Sequence, residues 1–351
     1  VMIRVFQDQQ AAVIRGLIIG LAVGWSGAAS AAVDGPKVNW NVAAYGQARA
    51  ATVAIDKLAE YVAAETNGNF AIKIHYGSTL APEKEALDGV KIGAYEIGWA
   101  VAGYAPGKQP GLNALGLPFL PLGDMKQGTR ISHAYYQHPA VQRDFDVWNG
   151  MYLLPIFVPA YEFMGRGKAP EKLDDWKGLR VRALGGAGVA MAKIGSVPTN
   201  VTAPESYGAM ERGVLDAVSF AYYAFSSFKI NEVGNWYTKG LNIATANSSL
   251  VMNKDVYAKL PPQYQKVIFG VIPPALDAQV QAMDDAESKA EADFIRRGMK
   301  TVVIGPALKE EMVRIGGRPV WDEWIAEVTP KGYPGRELIE FILAEAKKAS
   351  S

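Results

Sequence analysis

The fold is decided by the stretch FAIKIHYGSTLAPEKEALDGVKIGAYEIGWAV, residues 70–101. Residues 70–76 alternate apolar and polar side chains as a half-buried strand does, and a turn rich in small residues follows. Pro82 suits the first turn of a helix that ends near Gly93, and residues 95–101 then form a second, mostly apolar strand. Strands that alternate with helices in this way predict a parallel sheet covered by helices.

The same alternation extends in both directions from this stretch. Before it, residues 37–42 predict a strand and residues 48–66 a helix. Beyond a looser section the pattern resumes, with strands at 151–158, 179–183, 197–201 and 215–221 and helices within 185–195 and 206–212. A mostly helical stretch over 261–297 follows, interrupted at Pro273-Pro274. We therefore predict two α/β domains with several chain crossovers and a long helical stretch in the C-terminal third.

The composition excludes several classes of function. The 351 residues are 49% hydrophobic and 20% charged, which favours two folded domains over a disordered chain. With 36 basic and 35 acidic residues, the net charge does not favour nucleic acid as a partner. The sequence has no cysteine, which excludes thiolate nucleophiles and disulfides. His133 and His138 are five residues apart, whereas a zinc-binding helix needs a spacing of four.

The first 31 residues have the pattern of a secretory signal peptide. Arg4 and Arg15 precede the apolar run 16–25, and small residues then lead to an Ala-x-Ala site at Ala29-Ser30-Ala31. The alternative is a membrane anchor, but a spanning helix needs roughly 20 apolar residues, and this run is shorter. We expect cleavage near Ala31 and export of a product with equal numbers of basic and acidic residues.

An arginine and a glycine-rich turn form the first candidate binding element. Arg182 ends a predicted strand, and Gly185, Gly186 and Gly188 open the next helix. The dinucleotide pattern fails because its third glycine would fall on Met191, and no Walker lysine follows. Backbone N–H groups at a helix start, beside a guanidinium, suit a small carboxylate. The alternative is a structural Arg182 paired with an acidic neighbour, and the pattern alone leaves both open.

Aromatic residues follow several predicted strands. Residues 218–228, VSFAYYAFSSF, are the richest such stretch, and core packing is the more frequent role of any single ring there. Open α/β sheets nevertheless bind ligands beyond the carboxyl ends of their strands. The residues that this rule selects include Tyr45, Trp99, Tyr104, Phe220 and Tyr222, and Glu162 is a polar candidate in the same layer.

Several motifs occur in a fixed order along the chain: YGSTLAPEKEALDGVKIG (76–93), LPFL (117–120), PEKLDDWKGLRVR (170–182), ESYGAMERGVLDA (205–217) and LPP (260–262). In this order and spacing they resemble the periplasmic solute-binding proteins of tripartite ATP-independent periplasmic (TRAP) transporters, the DctP-type family. The resemblance covers the chain from about Val38 to beyond Pro262. It implies a two-domain periplasmic-binding-protein clamshell that closes on an organic acid and delivers it to integral membrane subunits.

The resemblance also assigns residues. Arg182 falls on the arginine that clamps the ligand carboxylate, which favours the binding role over the structural one. Ser219 and Phe220 fall on pocket-lining strand positions. In the 2-oxo-acid branch a glutamate and a tryptophan stand there, and the glutamate helps to hold sodium. Serine and phenylalanine do not match that pair, so we predict no metal and no cofactor.

The resemblance sets domain limits as well. Residues 33–158 with about 248–287 form the predicted N-terminal domain, and 159–247 with about 288–340 the C-terminal one. Residues 341–351 are expected to be a tail.

The sequence thus predicts a periplasmic binding protein, not an enzyme, for a monocarboxylate with an apolar or aromatic body. The alternatives are a secreted lyase or isomerase that uses Arg182 with Glu162 as base, and a ligand sensor for a membrane receptor. Expected partners are a small organic acid and the TRAP membrane subunits, with no nucleic acid. The predicted ligand-binding residues are Arg182, Glu162, Phe220, Ser219, Tyr45, Trp99, Tyr222 and Gly186.

Overall fold

Two β-sheets organise the chain in the computed structural model, which describes residues 32–348. The strands are β1 (Val38–Ala43), β2 (Phe70–His75), β3 (Ile97–Val101), β4 (Gly150–Pro155), β5 (Glu162–Gly165), β6 (Arg180–Arg182), β7 (Val197–Thr199), β8 (Ala217–Phe220), β9 (Trp236–Lys239), β10 (Ser248–Asn253) and β11 (Lys300–Val303). The first sheet has the order β2-β1-β3-β10-β4 and the second β11-β9-β5-β8-β6-β7. We call each sheet, with the helices packed on it, a lobe.

Helices cover both sheets, as the alternating pattern predicts. They are α1 (Val53–Glu65), α2 (Ala86–Ile92), α3 (Met125–Tyr136), α4 (Pro139–Asp146), α5 (Gly185–Ile194), α6 (Ser206–Glu211), α7 (Tyr222–Ser227), α8 (Lys254–Ala258), α9 (Pro262–Gly270), α10 (Ile272–Arg296), α11 (Pro306–Gly316), α12 (Arg318–Val328) and α13 (Gly335–Lys348). Helix α2 ends at Gly93, whose φ of 69° is left-handed and closes the helix through bonds to the carbonyls of Gly89 and Val90. This turn is where the sequence places the helix end.

Both sheets are mixed, so the prediction of parallel sheets is wrong for two strands. β10 runs antiparallel to β3 and β4, and β5 runs antiparallel to β8 and β9. The reason lies in where the chain enters each sheet. Ser248 starts β10 opposite Val101, the last residue of β3, and Glu162 starts β5 opposite Phe220, the last residue of β8. A strand that enters at the carboxyl edge must run against its neighbours.

Two connecting segments, residues 156–161 and 240–247, carry the chain between the sheets. They lie side by side, because Tyr161 N donates to the Ala244 carbonyl at 2.6 Å and Ile243 N donates to the Tyr161 carbonyl at 3.0 Å. The Thr245 hydroxyl adds a bond of 2.6 Å to the Val158 carbonyl. Two connecting segments that are hydrogen-bonded to each other therefore join the two sheets. The division into domains of residues 33–158 with about 248–287 and of 159–247 with about 288–340 stays a prediction.

The long helical stretch divides into α9 and α10, which has 25 residues. Pro273 lies in the first turn of α10, where a missing N–H leaves no hydrogen bond unmade. Helix α10 packs against α1 and α3 of the first lobe and against α7 of the second. Helix α10 therefore packs along both lobes.

The expectation of a C-terminal tail is wrong for residues 341–348. They form the second half of α13, in which Leu338, Ile339 and Ile342 are buried and helix α3 is the neighbour. The apolar residues recur every three or four positions and so face one side of the helix. The Arg130 guanidinium pairs with the Glu345 carboxylate at 2.7 Å and fixes the two helices together. The predicted signal peptide lies outside the described residues.

Among residues 32–348, none of the helices has the length and apolar character needed to cross a membrane.

The packing of α13 can be tested with a matched pair of isoleucines. Ile342→Ala should lower the free energy of unfolding by about 2 to 5 kcal/mol, because it removes a fully buried side chain and leaves a cavity. Ile92→Ala makes the same change at a side chain that is 80% exposed and should cost less than about 0.5 kcal/mol. Urea denaturation measures both. Equal, small effects would mean that α13 is not packed as described.

Candidate functional site

The carboxyl edges of the two sheets meet in a cleft, because β3 and β8 end there and the connecting segments pass beside them. A cavity in this cleft encloses about 20 Å³. Its wall contains Val101 at the end of β3, Gly185 and Gly186 at the start of α5, and Tyr161 and Asn247 from the connecting segments. A water molecule occupies roughly this volume, so the lobes are closed against each other.

Arg182 is the central charge of the cleft and is 1% exposed. Its Nε donates to the Val201 carbonyl at 3.0 Å and its Nη1 to the Ser219 carbonyl at 2.8 Å. The ion pairs of residues 32–348 do not include it. A purely structural Arg182 would need an acidic partner, and the described chain offers none. The two carbonyl bonds use Nε and Nη1 and leave Nη2 out.

Ser219 and Phe220, both predicted site residues, hold this guanidinium in place. The Ser219 hydroxyl donates to the Arg182 carbonyl at 3.0 Å, so the two residues exchange hydrogen bonds between neighbouring strands. The Phe220 ring lies under the guanidinium, with 4.3 Å from the central carbon to the ring centre. Phe220 in turn stacks on Phe228 at 5.6 Å. The side chain of Arg182 is thus fixed before any ligand arrives.

Tyr45 and Trp99, also predicted, come together on the first lobe. Their ring centres are 4.3 Å apart, and Tyr104 meets Tyr45 edge-on at 5.8 Å. Arg49, which the sequence analysis missed, lies over Tyr45 and Trp99 at 4.7 and 4.8 Å. Open α/β sheets bind ligands beyond the carboxyl ends of their strands. Arg49, like Tyr45, follows the carboxyl end of β1, so this rule could have identified it.

Gly186 lines the cavity, as predicted, and serves as a contact between the lobes. A Cβ on this residue would lie 2.9 Å from the Gly116 carbonyl oxygen and 3.0 Å from the Leu117 Cα, both in the segment that follows β3. Backbone atoms cannot move aside as a flexible side chain can. Only glycine therefore allows α5 to approach the first lobe this closely.

Tyr161 and Asn247 are cavity residues that the sequence analysis did not select. Burial raises the pKa of Tyr161 to about 12, and the charge and hydrogen bonding of Arg182 oppose that rise. Asn247 is buried and accepts a hydrogen bond from Tyr136 at 2.5 Å. Both residues lie on the connecting segments, where neither helical nor strand periodicity marks a residue as facing a site.

The structure contradicts the prediction that Glu162 lines the pocket. Its carboxylate accepts hydrogen bonds from the Thr238 hydroxyl at 2.6 Å and from the backbone N–H groups of Gly240, Leu241 and Asn242 at 3.0 to 3.2 Å. Burial raises the pKa of Glu162, and these bonds oppose the rise. The carboxylate therefore anchors the start of a connecting segment and is committed to the chain itself.

Tyr222 is also placed differently from the prediction. Its hydroxyl donates to the Thr238 carbonyl at 2.9 Å, and its ring packs against Tyr237 at 5.5 Å and Phe294 at 5.8 Å. As the first residue of α7 it points to the interior between that helix, β9 and α10. It stabilises the second lobe and takes no part in the cleft.

Metal binding receives no support from the geometry of the described chain. Residues 32–348 contain no group of three or more histidine and acidic side chains that could hold an ion. The absence of a metal stays a prediction.

A guanidinium fixed by backbone carbonyls at the junction of two α/β lobes has the geometry of a site for a small anion. Residues 45–327 match the profile of DctP, the bacterial extracellular solute-binding protein family 7, and the chain belongs to this family. Its members are solute-binding receptors of TRAP transporters and not enzymes, which confirms the family and the clamshell fold predicted from the sequence and excludes the lyase and isomerase alternatives.

Three similar proteins illustrate the family. A monocarboxylate 2-oxoacid-binding periplasmic protein of a Nostoc species is 25% identical over 281 residues, which cover 76% of this chain and 74% of that protein. A marine metagenome TRAP solute-binding protein specific for aromatic acids, in complex with metahydroxyphenylacetate, has a TM-score of 0.81 and 23% identity over 89% of this chain and 99% of its own. A Rhodoferax ferrireducens protein with copurified benzoate has a TM-score of 0.81 and 20% identity, with coverage of 90% and 99%.

Glu287 of α10 contacts the second lobe through its carboxylate. Its carboxylate accepts a hydrogen bond of 2.7 Å from the Tyr223 N–H at the start of α7. Burial raises its pKa from the ordinary 4.5 to about 7, and the nearby Glu162 adds to the rise. The folded state therefore binds this proton more tightly than the unfolded chain does.

We expect this raised pKa to appear in the pH dependence of stability. The stabilisation that protonated Glu287 contributes is complete below pH 4.5 and is lost as the pH rises through about 7. Glu287→Gln should remove this part of the decline, at most about 3 kcal/mol. Glu291→Gln is the matched control, because Glu291 pairs with Lys239 at the surface. Urea denaturation between pH 5 and 8.5 measures the free energy of unfolding of both variants and the wild type. If this free energy falls with pH as steeply in Glu287→Gln as in the wild type, the raised pKa does not belong to Glu287.

Proposed function

We propose that the protein is a periplasmic receptor that binds a monocarboxylate with an aromatic body between its lobes and delivers it to TRAP membrane subunits. The observation that carries the proposal is the buried Arg182 guanidinium, which is fixed by backbone carbonyls and has no acidic partner among residues 32–348. A buried charge without a counter-ion is costly, and a ligand carboxylate would compensate it.

Aromatic surface dominates the surroundings of this charge. Phe220 lies under the guanidinium, Tyr161 meets Phe220 at 6.1 Å, and the Tyr45–Trp99 pair faces the cleft from the first lobe. A polyhydroxylated sugar acid needs many hydrogen-bond partners around its ring, whereas an aromatic acid needs flat apolar surface. The ligands of the two similar solved structures, metahydroxyphenylacetate and benzoate, support the aromatic class.

Entry of such a ligand requires the lobes to separate. The cavity encloses about 20 Å³, whereas a cavity that accepts benzene is on the order of 150 Å³. The paired connecting segments are the place where this motion would occur, since they lie side by side where the chain passes between the sheets. Residues 254–299, which contain α10, make a third connection, from β10 to β11. Export to the periplasm rests on the predicted signal peptide, and delivery to the membrane subunits rests on the family.

Arg182 and Arg180 provide a matched test, because they lie on the same strand and differ in burial. Arg182→Lys keeps the charge but loses the planar fork that grips a carboxylate, so benzoate affinity should fall about 100-fold. Arg180 pairs with Asp216 at 2.5 Å on the surface, and Arg180→Lys should leave the affinity unchanged. Isothermal titration calorimetry with benzoate and D-glucuronate measures both variants and the wild type.

Two results would overturn the proposal. Tighter binding of D-glucuronate than of benzoate by the wild type would reject the aromatic class. Equal affinities of Arg182→Lys and wild type would place the carboxylate elsewhere.

The closeness of Gly186 to the first lobe tests lobe closure itself. Gly186→Ala places a Cβ against the Gly116 carbonyl and should weaken benzoate binding about tenfold, because the closed state becomes strained. Gly270→Ala is the control, since open space surrounds that position in α9. Calorimetry compares the two, and thermal unfolding verifies that both variants are folded. Unchanged affinity in Gly186→Ala would show that this contact is not needed in the bound state.

A further inference from the structure

Arg49 brings a second guanidinium to the cleft, from the first lobe. Its Nη1 donates to the Tyr45 carbonyl at 3.0 Å and to the Gln47 carbonyl at 2.9 Å, so the head group is held in position. Its Nε is buried and has no hydrogen-bond partner. The ion pairs formed within residues 32–348 leave Arg49 out as well.

The Trp99 indole is the second unsatisfied donor in the same cluster. Its Nε1 is buried and without a partner, and its ring lies 4.8 Å from the central carbon of Arg49. Buried N–H groups are almost always hydrogen-bonded in folded proteins, because an unmade bond leaves the cost of desolvation uncompensated. Two orphaned donors side by side indicate a place where a ligand supplies an acceptor.

The two arginines are linked through one pair of stacked rings. Arg49 lies 5.1 Å from the centre of Phe228, which stacks at 5.6 Å on Phe220, and Phe220 supports Arg182. Arg49 thus reaches from the first lobe onto an aromatic surface of the second. A flat ligand whose carboxylate binds Arg182 would extend along these rings toward Arg49.

We infer that Arg49 and Trp99 form a second subsite, which binds an oxygen acceptor on the far side of the ligand's aromatic ring. The inference rests on the proposed function, and it changes the expected ligand from any aromatic monocarboxylate to a ring acid that carries a second oxygen substituent. That oxygen belongs to a hydroxyl or to a second carboxylate. Because Arg49 lacks an acidic partner in the described chain, the subsite accepts either, and it disfavours an unsubstituted ring.

Three probe acids test the subsite: benzoate, 3-hydroxybenzoate and benzene-1,3-dicarboxylate. We expect calorimetry on the wild type to show one or both of the substituted acids binding about tenfold tighter than benzoate. Arg49→Met keeps an unbranched apolar stem and removes the guanidinium with its donors. It should bring the ratio of affinities close to one, because it lowers the affinity for the substituted acids more than the affinity for benzoate. A preference for 3-hydroxybenzoate would identify a hydroxyl, and a preference for the dicarboxylate would identify a second anion.

Two further variants keep the test independent of folding. Trp99→Phe retains an aromatic ring but removes the indole N–H, and it should reduce the same preference. Arg180→Met is the matched control at the surface and should alter neither affinity nor preference. Thermal unfolding verifies that each variant is folded.

The outcomes separate the two proposals. A wild type that binds benzoate as tightly as both substituted acids would overturn the subsite and leave the proposed function intact. So would an Arg49→Met variant that weakens all three acids by the same factor. A wild type that binds none of the acids would overturn the proposed function and the subsite with it.

Discussion

A guanidinium that is fixed by backbone carbonyls, and not by a carboxylate, is the constraint on which the site depends. Arg182 donates to carbonyls of the segment after β7 and of β8, so the second sheet itself sets its position. Backbone carbonyls carry only partial charge, and they satisfy the geometry of the guanidinium without neutralising it. The cleft therefore keeps a net positive character at its centre. The aromatic rings around it exclude water and increase the strength of any ion pair formed there.

Closure of the lobes depends on small residues as much as on charge. Gly186 has no side chain, and the start of α5 therefore reaches the backbone of the segment after β3. Glu162 holds the beginning of a connecting segment by three hydrogen bonds from backbone N–H groups and accepts a fourth from Thr238 at the end of β9. Gly186 lines the cavity and Glu162 contacts only the chain, yet both decide how the walls of the cavity meet.

Local pattern identifies the elements of this fold better than their directions. Residues 70–101 predict β2, β3 and the end of α2 to within two residues, because periodicity and end signals are local properties. The start of α2 is less well predicted: a 3-10 turn over Glu83–Glu85 follows Pro82, and the α-helix begins at Ala86. The antiparallel course of β5 and β10 depends on where the chain re-enters each sheet, which no neighbouring residue encodes. In the cleft, Arg182 and Phe220 follow from their place at strand ends. Glu162 follows the predicted strand 151–158 and is therefore expected beyond a strand end, but it starts β5, and its carboxylate bonds to the chain.

Helix α10 gives the molecule a mechanical property of its own. With 25 residues at about 1.5 Å each, it is a rod of roughly 38 Å. Gln279 on this rod donates to the Phe157 carbonyl of a connecting segment, and Glu287 accepts from the start of α7 in the second lobe. If the lobes move apart, α10 must bend or lose one of these two hydrogen bonds. Helices curve gently and resist sharp bending, so α10 opposes separation of the connecting segment from the second lobe.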